Sequence, residues 1–362
     1  MSCERYQRVL AAVNREVPDR VPWALWGHIP ALPFLKYYSW EKASRDGEEL
    51  AKAHVAFLNE LDYKMDLLKV TPFYKFMAYH WGCKFRFINN EETPETVDVV
   101  VKKTEDWSRL GVLDPRRELK EYVRAISTLS REIGRTMPIL FTLPSPLVIA
   151  VNHVSTPERT YEDMGAQPDA LKQGLETITQ TCIDYGRACI DEGAAGVFYG
   201  LGGGGYIWSR MNRTQLEEYG LRYDKRVLET LRDAQIRLLH ICSRKNQEDP
   251  QRNGGLMESG WFKQYPVNAI NWWDATFTPL TVAKRIYGEQ FCIVGGIDQE
   301  SAMRTGRPQQ VESQVKAAIE KAGQGGGLII AAGCTFSQDT PFENINAVGR
   351  AVEKYGKHIS RT

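Results

Sequence analysis

The sequence predicts a (β/α)₈ barrel, the TIM-barrel class. Three observations predict it: eight strand-length apolar runs along the 362 residues, helical-period segments between most of them, and no internal repeat or low-complexity linker to divide the chain. Length alone would accommodate two domains, but barrels of this class routinely exceed the usual domain size. The expectation is one barrel domain over residues 1–362, with an N-terminal helical and hairpin extension. An open, doubly wound sheet shares the same alternation and is the alternative, since alternation does not prove closure.

Tyr6, Val9, Leu10 and Val13 recur at helical spacing within 4–14, and Pro18-Asp19-Arg20 ends that pattern. Val21-Pro22-Trp23-Ala24-Leu25-Trp26 is the first strand, its proline near the beginning where a ladder tolerates it. An aromatic-rich loop (His28, Phe34, Tyr37, Tyr38, Trp40) leads to a helix over 47–61, with Leu50, Ala53, His54, Phe57 and Leu61 along one side. The second strand, 66–70, runs into Thr71-Pro72-Phe73-Tyr74, and Asp66 at its start lies away from the chemistry. Residues 81–87 and 97–101 alternate like a hairpin laid over the barrel. A helix over 117–133, a third strand over 137–143, a helix over 168–192 and a fourth strand over 193–200 follow. After a glycine-rich loop, a helix over 212–232 precedes the fifth strand, 236–242. Gly254 and Gly255 interrupt any helix beyond it, so that segment reads as loop. The last strands are 267–272, 291–296 and 327–334. Thr278-Pro279 reads as a cap before a first-turn proline, and Thr340-Pro341-Phe342-Glu343 adds a capping box. Val311, Val315 and Ile319 form the stripe of the helix before the last strand.

The fifth strand carries the strongest chemical signal. In Arg237-Leu238-Leu239-His240-Ile241-Cys242, His240 and Cys242 project from the same face, one pleat repeat apart. Imidazole and thiolate suit zinc, and two on one face supply half of a tetrahedral site. The eighth strand also closes on a cysteine, Cys334, and in a barrel the carboxyl ends of the strands form the active face. His240, Cys242 and Cys334 therefore reach one rim, and three ligands with one exchangeable position describe a catalytic zinc site. The competing reading is three core side chains, since free cysteine is among the most buried types. Cys3, Cys83, Cys182, Cys189 and mid-strand Cys292 read as filler.

Composition narrows the function. Forty-six basic against 45 acidic residues leave a net charge of +1, so neither nucleic acid nor an anionic membrane attracts the chain. No apolar run approaches a membrane span, and residues 1–14 lack a signal peptide's apolar centre. Seven scattered cysteines suit a reducing compartment, so a cytoplasmic protein is expected. Gly200-x-Gly202-x-x-Gly205 matches a dinucleotide fingerprint in letters, but its helix starts several residues late; the 202–205 stretch reads as a rim loop and candidate lid. Asp298, just after strand seven, and Tyr199, ending strand four, are the catalytic candidates, although acids at strand ends also serve as caps. His28 and His153 are candidates for the mouth, where a structural, hydrogen-bonded histidine is the commoner outcome.

Pro18-Asp19-Arg20-Val21-Pro22, Gly295-Gly296-Ile297-Asp298, and Gly333-Cys334 followed by Thr340-Pro341-x-Glu343-Asn344-Ile345 resemble the uroporphyrinogen decarboxylase superfamily, over nearly the whole chain. The resemblance implies a (β/α)₈ barrel. True decarboxylases carry a Met-Arg-Gln-Ala-Gly-Arg run after strand one to hold porphyrinogen carboxylates; this sequence has Trp26-Gly27-His28-Ile29-Pro30 there. The His-x-Cys…Cys arrangement instead resembles the zinc methyltransferases that work with corrinoid proteins, including methylcobamide:coenzyme M methyltransferases. That likeness implies Zn²⁺ on His240, Cys242 and Cys334 and a corrinoid (cobalamin) carried on a partner protein; it does not carry over the fourth ligand, for which Glu258, Asp298 and water are the candidates.

Such a zinc ion activates a thiol as thiolate or polarises the oxygen of a methyl ether. Trp26, Phe34, Tyr37, Phe73, Tyr74, Tyr199, Trp272 and Trp273 offer flat walls for an aromatic ring, although most of the 38 aromatics must be packing. The expected substrate is thus a methoxylated aromatic undergoing O-demethylation, with Trp26, His28, Phe73, Tyr74 and Trp272 as its binding residues. Methyl transfer to a thiol, cofactor-free decarboxylation and a non-catalytic zinc or corrinoid module are the alternatives. The expected partners are a corrinoid-binding protein and a small methyl donor or acceptor; a homodimer is compatible with the fold class.

Overall fold

The computed structural model describes residues 4–27, 40–88, 94–202, 211–242 and 255–357. Eight parallel strands pair in the order β1-β10-β9-β8-β7-β6-β5-β2. They are β1 (Trp23–Ala24), β2 (Leu68–Val70), β5 (Ile139–Pro144), β6 (Gly196–Leu201), β7 (Ile236–Ile241), β8 (Ala269–Trp272), β9 (Cys292–Ile297) and β10 (Leu328–Ala332). An antiparallel hairpin, β3 (Lys84–Arg86) with β4 (Glu95–Asp98), stands apart from them. The sheet curls until β1 meets β2, giving the barrel and excluding the open sheet. Asp66 forms the seam: its backbone N–H donates to the Trp23 carbonyl at 2.9 Å, and its carboxylate accepts the Trp23 N–H at 3.0 Å. Arg8 and Arg20 both donate to that carboxylate at 2.7 Å, so Asp66 is a structural group at the amino end of the barrel.

Side-chain alternation sorts each strand into two environments. Leu140, Phe198, Leu238, Val294, Ile329 and Ala331 fill the barrel interior. Their neighbours Leu143, Val197, Tyr199, Leu239, Trp272 and Ile330 pack in the larger core between sheet and helices. A one-residue slip would exchange the two sets, so burial on both faces pins the register. Gly196 permits the closest approach, since a Cβ there would fall 1.8 Å from the Ile236 carbonyl oxygen.

Several expectations shift in detail. Strand one shortens to two ladder residues, and Pro22, which lacks an N–H, contributes only its carbonyl, to Ile330. Strand eight ends at Ala332, so Cys334 sits on the turn beyond it. The expected caps at Thr278 and Thr340 do not form: Pro279 and Pro341 take the cap positions, neither threonine hydroxyl has a hydrogen-bond partner among the described residues, and Thr278 has a φ of 47°. Asn212 and Gln215 do build a reciprocal capping box, and the helix after them contains a π turn over Leu216–Leu221. Among the described residues no helix is long and apolar enough to cross a membrane.

Candidate metal centre

β7 turns His240 into the barrel, where its ring lies 4.9 Å from the Phe198 ring, and Cys242 follows one pleat later at the mouth. Cys334 arrives from the turn after β10. One ligand atom from each of the three lies within 4.8 Å of the others. The spacings test the fit to an ion. Tetrahedral zinc, with Zn–S about 2.3 Å and Zn–N about 2.0 Å, holds two sulfurs ~3.8 Å apart and a sulfur and nitrogen ~3.5 Å apart. Here the Cys242 and Cys334 sulfurs are 3.7 Å apart, and the Cys334 sulfur is 3.6 Å from His240 Nε2. A disulfide would need a sulfur separation near 2.05 Å, so the two cysteines are not bridged and stand at ligand spacing. The hydrogen bond with Cys242 holds the Cys334 thiol well below its usual pKa, with His240 adding to the effect against burial.

The second layer selects the histidine tautomer. His240 Nδ1 lies 2.6 Å from Asn271 Oδ1, and Asn271 Nδ2 donates to the carbonyls of Val294 and Ala332 at 2.9 and 3.1 Å. With the amide nitrogen committed to two carbonyls, Oδ1 must be the acceptor. Nδ1 therefore carries the proton and Nε2 presents its lone pair toward the sulfurs. Asn271 is a residue that reading the sequence missed. Its only signal is a polar side chain on the inward face of an otherwise apolar strand.

Lys69 was missed in the same way. It points inward from β2, as Leu67 does just before that strand, is 4% exposed, and sets its ammonium 4.6 Å from the centre of the Phe198 ring. Burial lowers it to about 8, while Cys334 and Cys242 pull upward. Trp26 packs edge-on to Phe198 at 5.2 Å, so it belongs to the wall beneath the ligands. Tyr74 donates to the Gly202 carbonyl at 2.8 Å; burial, with the fields of Cys242 and Cys334, keeps its hydroxyl protonated. Gly333, the residue before Cys334, lets Trp273 and Gln299 approach the turn, since a Cβ on it would meet Trp273 Cα at 2.9 Å and Gln299 Oε1 at 3.5 Å. Among the described residues the buried side-chain N–H groups of Trp26, Trp273 and Gln299 have no acceptor.

Other candidates fall elsewhere. Tyr199 alternates with Phe198 and so points out of the barrel, where its hydroxyl donates to Asp224 at 2.6 Å. Trp272 likewise points outward and donates to the carbonyls of Phe277 and Thr278. Phe73 packs edge-on against Phe85 and Phe87 beneath the hairpin. Strand parity thus removes Tyr199 and Trp272 from the expected aromatic wall, and hairpin packing occupies Phe73. Asp298 caps a turn, accepting the backbone N–H groups of Glu300 and Ser301 at 3.0 and 3.2 Å. His153 is buried edge-on to Tyr74 in a π turn, with no hydrogen-bond partner on either nitrogen among the described residues. Glu258 is exposed and outside the ligand cluster. His28, Phe34, Tyr37 and positions 203–205 of the candidate lid lie outside the described residues.

The Tyr199 environment makes its own prediction. Burial raises Asp224 from 3.8 to about 6, against the Tyr199, Ser145 and Tyr265 hydroxyls that lower it. The folded state then binds the proton more tightly than the unfolded chain. This contribution to stability is complete below about pH 4 and lost as pH rises through 6, a change of ~3 kcal/mol. Urea melts of wild type and Asp224→Asn should therefore differ in slope between pH 4 and 6, with the variant flatter. Parallel profiles would refute the assignment.

A family model for uroporphyrinogen decarboxylase (URO-D) matches residues 4–355. The methylcobamide:CoM methyltransferase MtbA of Methanosarcina mazei is 22% identical, covering 96% of this chain and 97% of that protein. A methylated-thiol–coenzyme M methyltransferase of the same organism is 22% identical over 75% of this chain and 68% of its own. A uroporphyrinogen decarboxylase of Pseudoalteromonas translucida is 24% identical over 71% of each. Among solved structures, a methyltransferase from Methanosarcina mazei has a TM-score of 0.77 at 16% identity, covering 97% of this chain and 98% of its own, which shows a common fold. Because the family model spans all but the ends of the sequence, this chain belongs to the uroporphyrinogen decarboxylase family.

Proposed function

We propose that the chain is a zinc-dependent methyltransferase, moving a methyl group between a small substrate and the cobalt of a corrinoid on a partner protein. The observation that carries this reading is the His240–Cys242–Cys334 ligand spacing, for which a metal-free decarboxylation has no use. His240, Cys242 and Cys334 would hold the ion, which would supply Lewis-acid activation of a substrate sulfur or oxygen. The chain's own groups do the remaining work. Asn271 holds the imidazole in the tautomer that presents Nε2. Trp26 and Phe198 form an apolar wall that excludes water beneath the ligands. The unpaired N–H groups of Trp26, Trp273 and Gln299 offer donors to a polar substrate.

A thiol is the favoured methyl acceptor. Two relatives are named for transfer to coenzyme M, and strand parity and packing dismantle much of the aromatic wall that suggested an ether. A methoxylated aromatic donor remains the second reading because the Trp26–Phe198 pair lies beside His240. Zinc-loaded protein incubated with methylcobalamin and a small thiol should form the methyl thioether and lose the cobalt–carbon absorbance. Demethylation of methoxylated aromatics by cob(I)alamin, without thiol methylation, would move the assignment to the second reading. Failure of both, with carbon dioxide released from a porphyrinogen, would overturn methyl transfer.

A further inference from the structure

We propose that Lys69 supplies the fixed positive charge that makes the metal centre select an anionic atom as its fourth ligand. The inference rests on the zinc methyltransferase reading above and adds a specificity-determining residue to it. Lys69 is inside the barrel, its ammonium against one neighbour of His240, the Phe198 ring. Its electrostatic neighbours are the sulfurs of Cys334 and Cys242, with buried His54 behind it. Among the described residues no carboxylate pairs with it. An unpaired ammonium held in an apolar interior is costly, so its placement beside a ligand cluster needs a compensating anion.

Charge counting identifies that anion. Two thiolates, a neutral imidazole and a divalent ion sum to zero, and Lys69 leaves the centre at +1. A thiolate sulfur or phenolate oxygen in the fourth position brings the total back to zero. Without Lys69 the same ligand would leave an uncompensated negative charge in a low-dielectric barrel. Binding a thiol then breaks its S–H bond, the sulfur pair goes to the metal and the proton leaves to the buffer. Lys69 touches neither sulfur nor metal in this account; it positions the anion through its field.

The test uses the full-length chain loaded with Co²⁺, whose absorption bands report the fourth ligand without any turnover. Each protein is titrated at neutral pH with 2-mercaptoethanol, which binds as an anion, and with imidazole, which binds neutral. Lys69→Met and Lys69→Gln should still take up one cobalt per chain and bind imidazole within about twofold of wild type. Their thiol dissociation constants should rise about tenfold or more, and Lys69→Arg should recover most of that loss. Unchanged thiol binding, or equal weakening of both ligands, would overturn the proposal, the latter marking a merely structural role. Failure of wild type to take up cobalt would instead sink the metal reading. The glutamine variant, which retains a polar head, keeps the comparison available should the methionine variant not fold.

Discussion

Cys242→Ser should abolish stoichiometric metal binding, taking the chain from about one zinc per molecule to a small fraction of that. The serine hydroxyl is isosteric, but it does not ionise in the range where a thiolate does, and it is a hard donor where zinc prefers sulfur. Two ligands, His240 Nε2 and Cys334, would remain, too few for a tetrahedral ion. Methyl transfer should fall to background with the metal. The fold should survive, because Cys242 is half-buried beyond the last residue of β7 and its sulfur does not fill the barrel core. Elemental analysis of protein purified without added zinc, paired with circular dichroism, checks both halves. Full zinc retention in both Cys242→Ser and Cys334→Ser would dismiss the site.

Asn271→Ala should weaken metal binding by about 10- to 100-fold, the usual consequence of losing the group that orients a ligand histidine. It should also destabilise the apoprotein by ~3 kcal/mol or more, since it strips partners from the His240 Nδ1–H and the Val294 and Ala332 carbonyls in a fully buried setting. Asn271→Asp separates the effects. Its carboxylate still accepts from His240 but donates to neither carbonyl, so metal affinity should largely survive while stability falls. Zinc competition against a chromophoric chelator and urea melts of the metal-free proteins measure the two quantities independently. Equal metal affinity in all three proteins would show that Asn271 does not orient the ligand.

The candidate cluster was legible because strand period and donor chemistry coincide: His240 and Cys242 are two apart in a run too apolar to be surface. The barrel was legible because eight runs alternate with helical patterns. Helix starts were less so, because Thr278 and Thr340 carry the right letters while the prolines after them take the cap positions. The aromatic wall failed for a different reason. Tyr199 and Trp272 lie in the carboxyl halves of their strands, but each is one residue from an inward position, and one residue is the difference between barrel interior and helix layer.

By itself the sequence determined the fold class, the three side chains proposed as ligands and the strand ends that carry them. These follow from local period and donor chemistry, which a linear chain displays. Only the tertiary structure decided what surrounds the ligands: Asn271 behind His240, Lys69 with Phe198 beneath the sulfurs, and Tyr199 turned toward Asp224. Lys69 and Cys334 are far apart along the chain, and nothing in either neighbourhood encodes the other. Barrel closure and register brought them to one end of one interior, where a buried charge acts over the distance that solvent would have screened.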